Sequence, residues 1–264
     1  MLPSNGYGGK WKIQESRYHE QAGSLEMMFP NKGFCVNIPL IGYQRAWDIQ
    51  KRIVSAKTDG YFRDTILILE HPPVITVGRS GNLKNLRVKK EELKKKGIDL
   101  YHVERGGDIT YHGPGQIVGY PVVYFERYGY RHRRYIYELE EVIIRVLDDL
   151  GIRCRRHPEL RGVWVGDQKI ASVGVAVKGH VAFHGFALNV DPNFEHFAMI
   201  NPCGSSPDKM TSVGFIAGEE INSIAVRKGI VEHFKEVFKL DLEEISLERL
   251  EFMVKNVDRS QIDV

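Results

Sequence analysis

Apolar residues recur along this chain at two spacings. Ile41, Ala46, Trp47, Ile49, Ile53 and Val54 fall on one face of a 3.6-residue period that Gly60 ends, which predicts a first helix. A longer stripe of Tyr135, Leu139, Val142, Ile143, Val146, Leu147 and Leu150 runs up to Gly151. A third, with Ile224, Ile230, Val231, Phe234, Val237 and Phe238, spans residues 223–240, and short charged helices are predicted over 89–96 and from Leu247. Between them lie short β-branched and apolar runs at 35–38, 65–70, 74–77, 100–103 and 117–123. The prolines Pro72 and Pro73 end one run, because proline cannot donate to a ladder. Residues 162–165, 169–177 and 181–190 read as a three-stranded meander, since 166–168 and 178–180 are loops of hairpin length. Strands and helices mix without strict βαβ alternation, so the pattern predicts an α+β domain with largely antiparallel or mixed sheets.

A chain of 264 residues fits one hydrophobic core, and 42% hydrophobic with 27% charged residues is an ordinary globular balance. The net charge of +3 is too small for a nucleic-acid-binding surface, which would carry a dominant basic stripe. Two local clusters are more basic: Lys89, Lys90, Lys94, Lys95 and Lys96, and Arg131, Arg133 and Arg134 around His132. Each reads first as a solvated helix face. Cys35, Cys154 and Cys203 lie far apart with no CxxC pair, so neither a disulfide framework nor a thiolate zinc site is expected. No apolar run is long enough to span a bilayer, and the first thirty residues lack the apolar core of a signal peptide. A cytoplasmic protein without a membrane partner is expected.

The segment Arg105-Gly106-Gly107-Asp108-Ile109-Thr110-Tyr111-His112-Gly113-Pro114-Gly115-Gln116 has a phosphate loop's glycine density, but neither the P-loop nor the dinucleotide spacing. Its glycines allow backbone amides to approach a ligand closely; a plain turn between strands is the competing reading. In Asn201-Pro202-Cys203-Gly204, the proline stiffens the approach and the glycine allows a tight turn that would leave the sulfur at a loop apex. A single cysteine is more often an inert buried residue, so this one needs a partner. Lys169 leads an otherwise apolar strand, where a lysine either snorkels at a sheet edge or faces a site. His184 taken singly reads as a core histidine, and His71 as a strand cap. The histidines show no metal-binding spacing, and no metal is expected.

Together these blocks resemble the lipoyl(octanoyl) transferase family of the biotin and lipoate protein ligase superfamily. The resemblance runs from about Gly33 to Leu240. It rests on His71-Pro72-Pro73 through Gly78-Arg79, Arg105 through Gln116, Lys169-Ile170-Ala171-Ser172-Val173-Gly174, His184-Gly185-Phe186-Ala187-Leu188-Asn189, and Asn201-Pro202-Cys203-Gly204 with Thr211-Ser212. It implies one α+β domain with a larger and a smaller mixed sheet over residues 33–240; a leader over 1–32, expected to be loosely packed or partner-dependent, and a helical tail over 241–264 depart from the family's usual pattern. It further implies Cys203 as the acyl-accepting nucleophile and Lys169 as its charged neighbour. An acyl site is implied along Arg105, Gly106, Gly107, Asp108, Ile109, Thr110, Tyr111, His112, Ser172, Val173, Gly174, Gly185, Phe186 and Ala187. The implied donor is octanoyl acyl carrier protein, whose phosphopantetheine thioester is already activated, so no separate cofactor is called for. The implied acceptors are lysines in lipoyl domains of 2-oxoacid dehydrogenase complexes and in the glycine cleavage H protein.

Overall fold

Residues 64–69 read Asp-Thr-Ile-Leu-Ile-Leu and are buried throughout, so the sheet that contains them needs cover on both faces. The computed structural model describes residues 31–58, 62–202 and 206–256. In chain order the elements are β1 (Lys32–Ile38), α1 (Tyr43–Thr58), β2 (Asp64–Leu69), β3 (Val74–Val77), α2 (Lys90–Lys95), β4 (Asp99–His102), β5 (Ile109–His112) and β6 (Gln116–Tyr124). There follow α3 (His132–Asp149), β7 (Arg155–Arg156), β8 (Val163–Val165), β9 (Gln168–Lys178), β10 (Val181–Asn189) and α4 (Phe194–Phe197). The last are α5 (Val213–Ala217), α6 (Ser223–Phe238), β11 (Asp241–Glu244) and α7 (Leu247–Lys255).

The large sheet has eight strands in the order β11-β1-β2-β6-β10-β9-β8-β7. β1 runs parallel to β2 and β11, and the remaining pairs are antiparallel. Its two faces separate by the period of two: Cys35, Ile66 and Ile68 pack toward α3 and α6, while Phe34, Val36, Leu67 and Leu69 pack toward α1 and α7. The small sheet, β4-β3-β5, has its own core, in which Ile75, Val77, Ile109 and Tyr111 meet Leu93, Phe197 and Met210. The α+β architecture with a larger and a smaller mixed sheet is therefore as expected.

Two segments differ from the sequence reading. The strand β5 lies inside the glycine-rich stretch read as a loop, paired antiparallel to β3. Residues 241–244, read as the start of a helical tail, form a strand that extends the large sheet, and α7 behind it packs in the core with α1. Among the described residues no helix is long and apolar enough to cross a membrane. The leader over 1–30 and residues 257–264 lie outside the described residues.

The opening of β2 is held by a buried charge cluster. Asp64 is fully buried and accepts from Lys57 Nζ at 2.6 Å, Arg127 Nη1 at 3.2 Å, the Tyr124 amide at 3.0 Å and the Tyr128 hydroxyl. Burial alone would raise the Asp64 carboxyl, but Lys57, Arg127 and these hydrogen bonds outweigh it and hold the pKa below the usual carboxylate value. A depressed folded-state pKa contributes stability that is present above the unfolded value of about 4 and lost as pH falls below it. Asp64→Asn is expected to cost about 3–5 kcal/mol, because it leaves Lys57 buried without its counter-charge. Thermal melts at neutral pH and near pH 3 check this: the gap between wild type and variant should narrow in acid.

Candidate active site

The segment that leaves β3 is tied to the segment that leads into β5, and the latter in turn to the large sheet. Gly78 N donates to Asp108 O at 3.0 Å, Arg79 N to Arg105 O at 3.0 Å, and Ser80 N to Gly107 O at 3.2 Å. On the other side Gly106 N donates to Val175 O of β9 at 2.8 Å. This contact needs glycine: a Cβ on Gly78 would stand 2.4 Å from Gly107 O, and Gly107 itself has φ of +85°. Arg105 turns inward, donating to Thr76 O at 2.7 Å and Thr76 Oγ1 at 2.8 Å, so its guanidinium staples the loop to β3. Asp108 accepts from Asn82 N at 2.8 Å and from the Asn85 side chain, and Asn85 O in turn accepts from Asn201 N at 2.7 Å. The glycine loop is thus tied to the residues that lead into Cys203.

A cavity of about 460 Å³ opens between this loop, β9 and β10. Arg105, Gly106, Gly107, Asp108, Thr110 and His112 line one side; Ser172, Val173, Gly174, Gly185, Phe186 and Ala187 line the other, with Lys169 at the start of β9. The facing positions follow from register, since Ser172 pairs with Ala187, Val173 with Phe186 and Gly174 with Gly185. Ile109 and Tyr111 are a correction to the expected set. β5 alternates, so these two point into the small-sheet core, where the Tyr111 hydroxyl meets His196 Nδ1 at 3.0 Å.

Lys169 is buried to 7% exposure, with Nζ 5.3 Å from the centroid of the Trp164 ring. Its backbone pairs with Met210, and Thr211 N donates to its carbonyl at 3.0 Å, so the segment that follows Cys203 runs against the lysine. A loop bearing Glu159, Leu160 and Arg161 lines the cavity beside it. That loop is anchored by Glu140 of α3, which accepts from Gly162 N at 2.8 Å. Burial raises the Glu140 carboxyl despite the Gly162 amide, Arg156 and Lys169 nearby. Cys203 itself lies outside the described residues.

At the other end stand rings from four elements. Tyr43, His112, Tyr120 and His184 line the cavity, and His71 lies behind them, donating from Nδ1 to Ile41 O at 2.8 Å and accepting from the Tyr120 hydroxyl at 2.9 Å. Burial pushes His71 down to about 4 and His112 to about 3, and it lowers His184 as well, so all three stay neutral near pH 7. His184 is therefore a cavity residue and not solely a packing one; it adopts φ of +56°, uncommon for a side chain with a Cβ. Glu104, whose carboxyl accepts from the Trp47 indole at 3.0 Å, lies 3.7 Å from His184 Nε2.

Sequence reasoning missed Tyr43, Tyr120, His132, Ile136 and the 159–161 loop as cavity residues. Tyr43 falls within the span of one helical stripe and Ile136 within that of another, and nothing in a period says which residues face a cavity. Among the described residues no cluster of His, Cys, Asp or Glu could hold a metal ion.

Residues 42–235 match the family described as the lipoyl protein ligase A/B catalytic domain. An octanoyltransferase of Syntrophobacter fumaroxidans is 41% identical over 225 residues, which cover 85% of this chain and 99% of that protein. One from Rubrobacter xylanophilus is 44% identical over 201 residues, covering 75% and 90%. Among solved structures, the fold is similar to a lipoate-protein ligase A bound with ATP, with a TM-score of 0.70 at 16% identity over 86% of this chain and 94% of that one. It is also similar to a bi-partite lipoate protein ligase from Thermoplasma acidophilum, with a TM-score of 0.66 at 16% identity over 86% and 92%. The match over most of the chain, with identities near 40% along nearly the whole length of these relatives, places the protein in the lipoyl protein ligase A/B catalytic-domain family, among its octanoyltransferases.

Proposed function

We infer that this enzyme carries an octanoyl group from acyl carrier protein, through a thioester on Cys203, to a lysine of a lipoyl domain. The observation that carries the reading is Lys169, a buried lysine on the cavity wall whose backbone is paired with the stretch that follows Cys203. A free thiol is only a few per cent thiolate at pH 7, and a cation within about 4–6 Å lowers its pKa by about 1–3 units. The Cys203 thiolate then attacks the donor's thioester carbon; the carbon–sulfur bond to phosphopantetheine breaks, and the leaving sulfur takes its proton from the Lys169 ammonium, which becomes neutral. In the second half-reaction the acceptor amine attacks the acyl-enzyme, Cys203 leaves as thiolate, and neutral Lys169 accepts the amine's proton.

Val173, Phe186, Ile136 and Leu160 provide an apolar slot for the chain. At about 0.8 kcal/mol per CH₂ an octanoyl chain gains roughly 5 kcal/mol there. The oxyanion donors come from amides other than that of Gly106, which is committed to Val175. Lipoyl domains of 2-oxoacid dehydrogenase complexes and the glycine cleavage H protein are the acceptors this chemistry suits.

The first turn of α3 supports an acidic carrier as donor. His132 and Ile136 line the cavity mouth, which places the exposed Arg131, Arg133 and Arg134 at its rim with no acidic residue in that turn. Raising salt from about 0.05 to 0.5 M is expected to lower kcat/KM for the carrier substrate, and Arg133→Glu should do the same at low salt. Rates indifferent to both changes would remove this docking surface.

Intact mass spectrometry of the protein mixed with octanoyl carrier, without ATP, tests the whole reading. An octanoyl adduct that maps to Cys203 supports it. No adduct, together with lipoyl-domain modification only from free octanoate and ATP, would mean that the chain works as a ligase.

A further inference from the structure

Behind the cavity wall, four buried groups form one line of hydrogen bonds. Thr211 O accepts from Asn189 Nδ2 at 2.9 Å. Asn189 Oδ1 accepts from Gln116 Nε2 at 2.9 Å, and the same nitrogen donates to Tyr111 O at 3.3 Å. Gln116 Oε1 meets His112 Nδ1 at 2.7 Å. His112, Gln116 and Asn189 are 6%, 2% and 1% exposed, so water does not compete for these bonds.

The directions along this line are forced. A backbone carbonyl only accepts, so Thr211 O demands the amide nitrogen of Asn189, which turns Asn189 Oδ1 toward Gln116. Gln116 must then present its nitrogen to Asn189 Oδ1 and Tyr111 O, which leaves Oε1 for the histidine. An amide oxygen only accepts, so His112 Nδ1 carries the hydrogen and Nε2 the lone pair. His112 lines the cavity on the same face of β5 as Thr110. The far end of the line reaches the active lysine, because Thr211 N donates to Lys169 O at 3.0 Å.

We propose that Gln116 and Asn189 are positioning residues whose amide relay locks His112 in its Nδ1–H tautomer and presents Nε2 to the substrate as a permanent hydrogen-bond acceptor. What binds there is a donor group, an amine or amide N–H. On the acyl-transfer reading, on which this assignment of the ligand rests, it comes either from the pantetheine arm of the donor or from the acceptor lysine. The groups around His112 keep it neutral: burial acts first, and His71 behind it, Arg105 of the glycine loop and His184 of β10 each disfavour a second proton. Tyr43 of α1 stacks on its ring at 6.3 Å. His112 thus accepts a hydrogen bond without drawing off the proton, which suits orientation of a nucleophile and leaves proton removal to Lys169.

Imidazole ¹⁵N NMR of the full chain, with the His112 signal assigned by its loss in His112→Gln, reads the tautomer without any acyl transfer. The expected result is a protonated Nδ1 and a bare Nε2, unchanged from pH 8 to pH 5. An Nε2–H tautomer, or titration above pH 5, overturns the lock whatever the enzyme's substrate. Gln116→Glu still accepts from Nδ1 but cannot donate to Asn189 Oδ1 or Tyr111 O, and its carboxylate should raise the His112 midpoint by about 1–3 pH units. Asn189→Leu should mix the tautomers and lower kcat by on the order of 10²-fold. The half-reactions separate the two sources: slower acyl-enzyme formation identifies the donor's amide, and slower transfer alone identifies the acceptor's amine. Full activity in Asn189→Leu with the tautomer scrambled would remove the positioning role. Should either variant fail to fold, the wild-type tautomer still decides the lock.

Discussion

Cys203→Ala is expected to abolish octanoyl transfer, lowering turnover by on the order of 10⁴-fold or more. The reason is not the loss of one contact but the absence of any other usable thiol. Cys35 is 2% exposed, and burial pushes its pKa up to about 12; burial likewise lifts half-buried Cys154 to about 11. Neither offers appreciable thiolate at neutral pH, so neither can substitute as acyl acceptor. Turnover assays with octanoyl carrier and intact mass on both proteins provide the check. A variant working within tenfold of wild type would show that no Cys203 thioester lies on the path.

The second large effect belongs to Lys169, where two substitutions separate two duties. Lys169→Ala removes both the charge that favours the thiolate and the base that takes the amine's proton, and a loss of about 10²–10⁴-fold is expected. Lys169→Arg keeps the positive charge, but a guanidinium does not give up its proton at these pH values. Acyl-enzyme formation should therefore survive better in Lys169→Arg than in Lys169→Ala, while transfer to the acceptor falls in both. Single-turnover kinetics of each half-reaction measure this. Equal loss in both halves for the arginine variant would argue that the lysine contributes shape, as the 5.3 Å approach to Trp164 and the close packing against the Gly162 loop allow.

How much of this could be read beforehand depends on how local each signal is. The stripe from Tyr135 to Leu147 announced α3 because every third or fourth residue enters one core. The meander of β8, β9 and β10 was legible from its short loops. Strand β5 was not, because Ile-Thr-Tyr-His stands between Gly107-Asp108 and Gly113-Pro114, whose residue types signal a loop. Strand β11 was missed for a different reason: Asp-Leu-Glu-Glu has one apolar residue, and its pairing comes from β1, far away in sequence. At the site, Lys169 and the glycine loop stood out because their residue types break a local rule. The asparagine and glutamine of the relay did not, since Gln116 and Asn189 are unremarkable until the fold brings them within 2.9 Å.

Of the two strands parallel to β1, the outer one, β11, comes from the far end of the described chain. Lys32 pairs with Asp241 and Cys35 with Glu244, so the outer rim of the large sheet closes across nearly the whole described chain. Closing so long a loop costs entropy before any pairing compensates, which places this rim among the late events of folding. Until β11 arrives, β1 presents a bare row of amides and carbonyls beside an apolar Phe-Cys-Val run, a template on which another unfinished copy could add a strand. Once docked, β11 replaces that row with a short border on which Asp241 and Glu244 carry negative charge while Glu243 pairs with Arg63 and Arg249, and the acidic pair repels the same border on a second molecule.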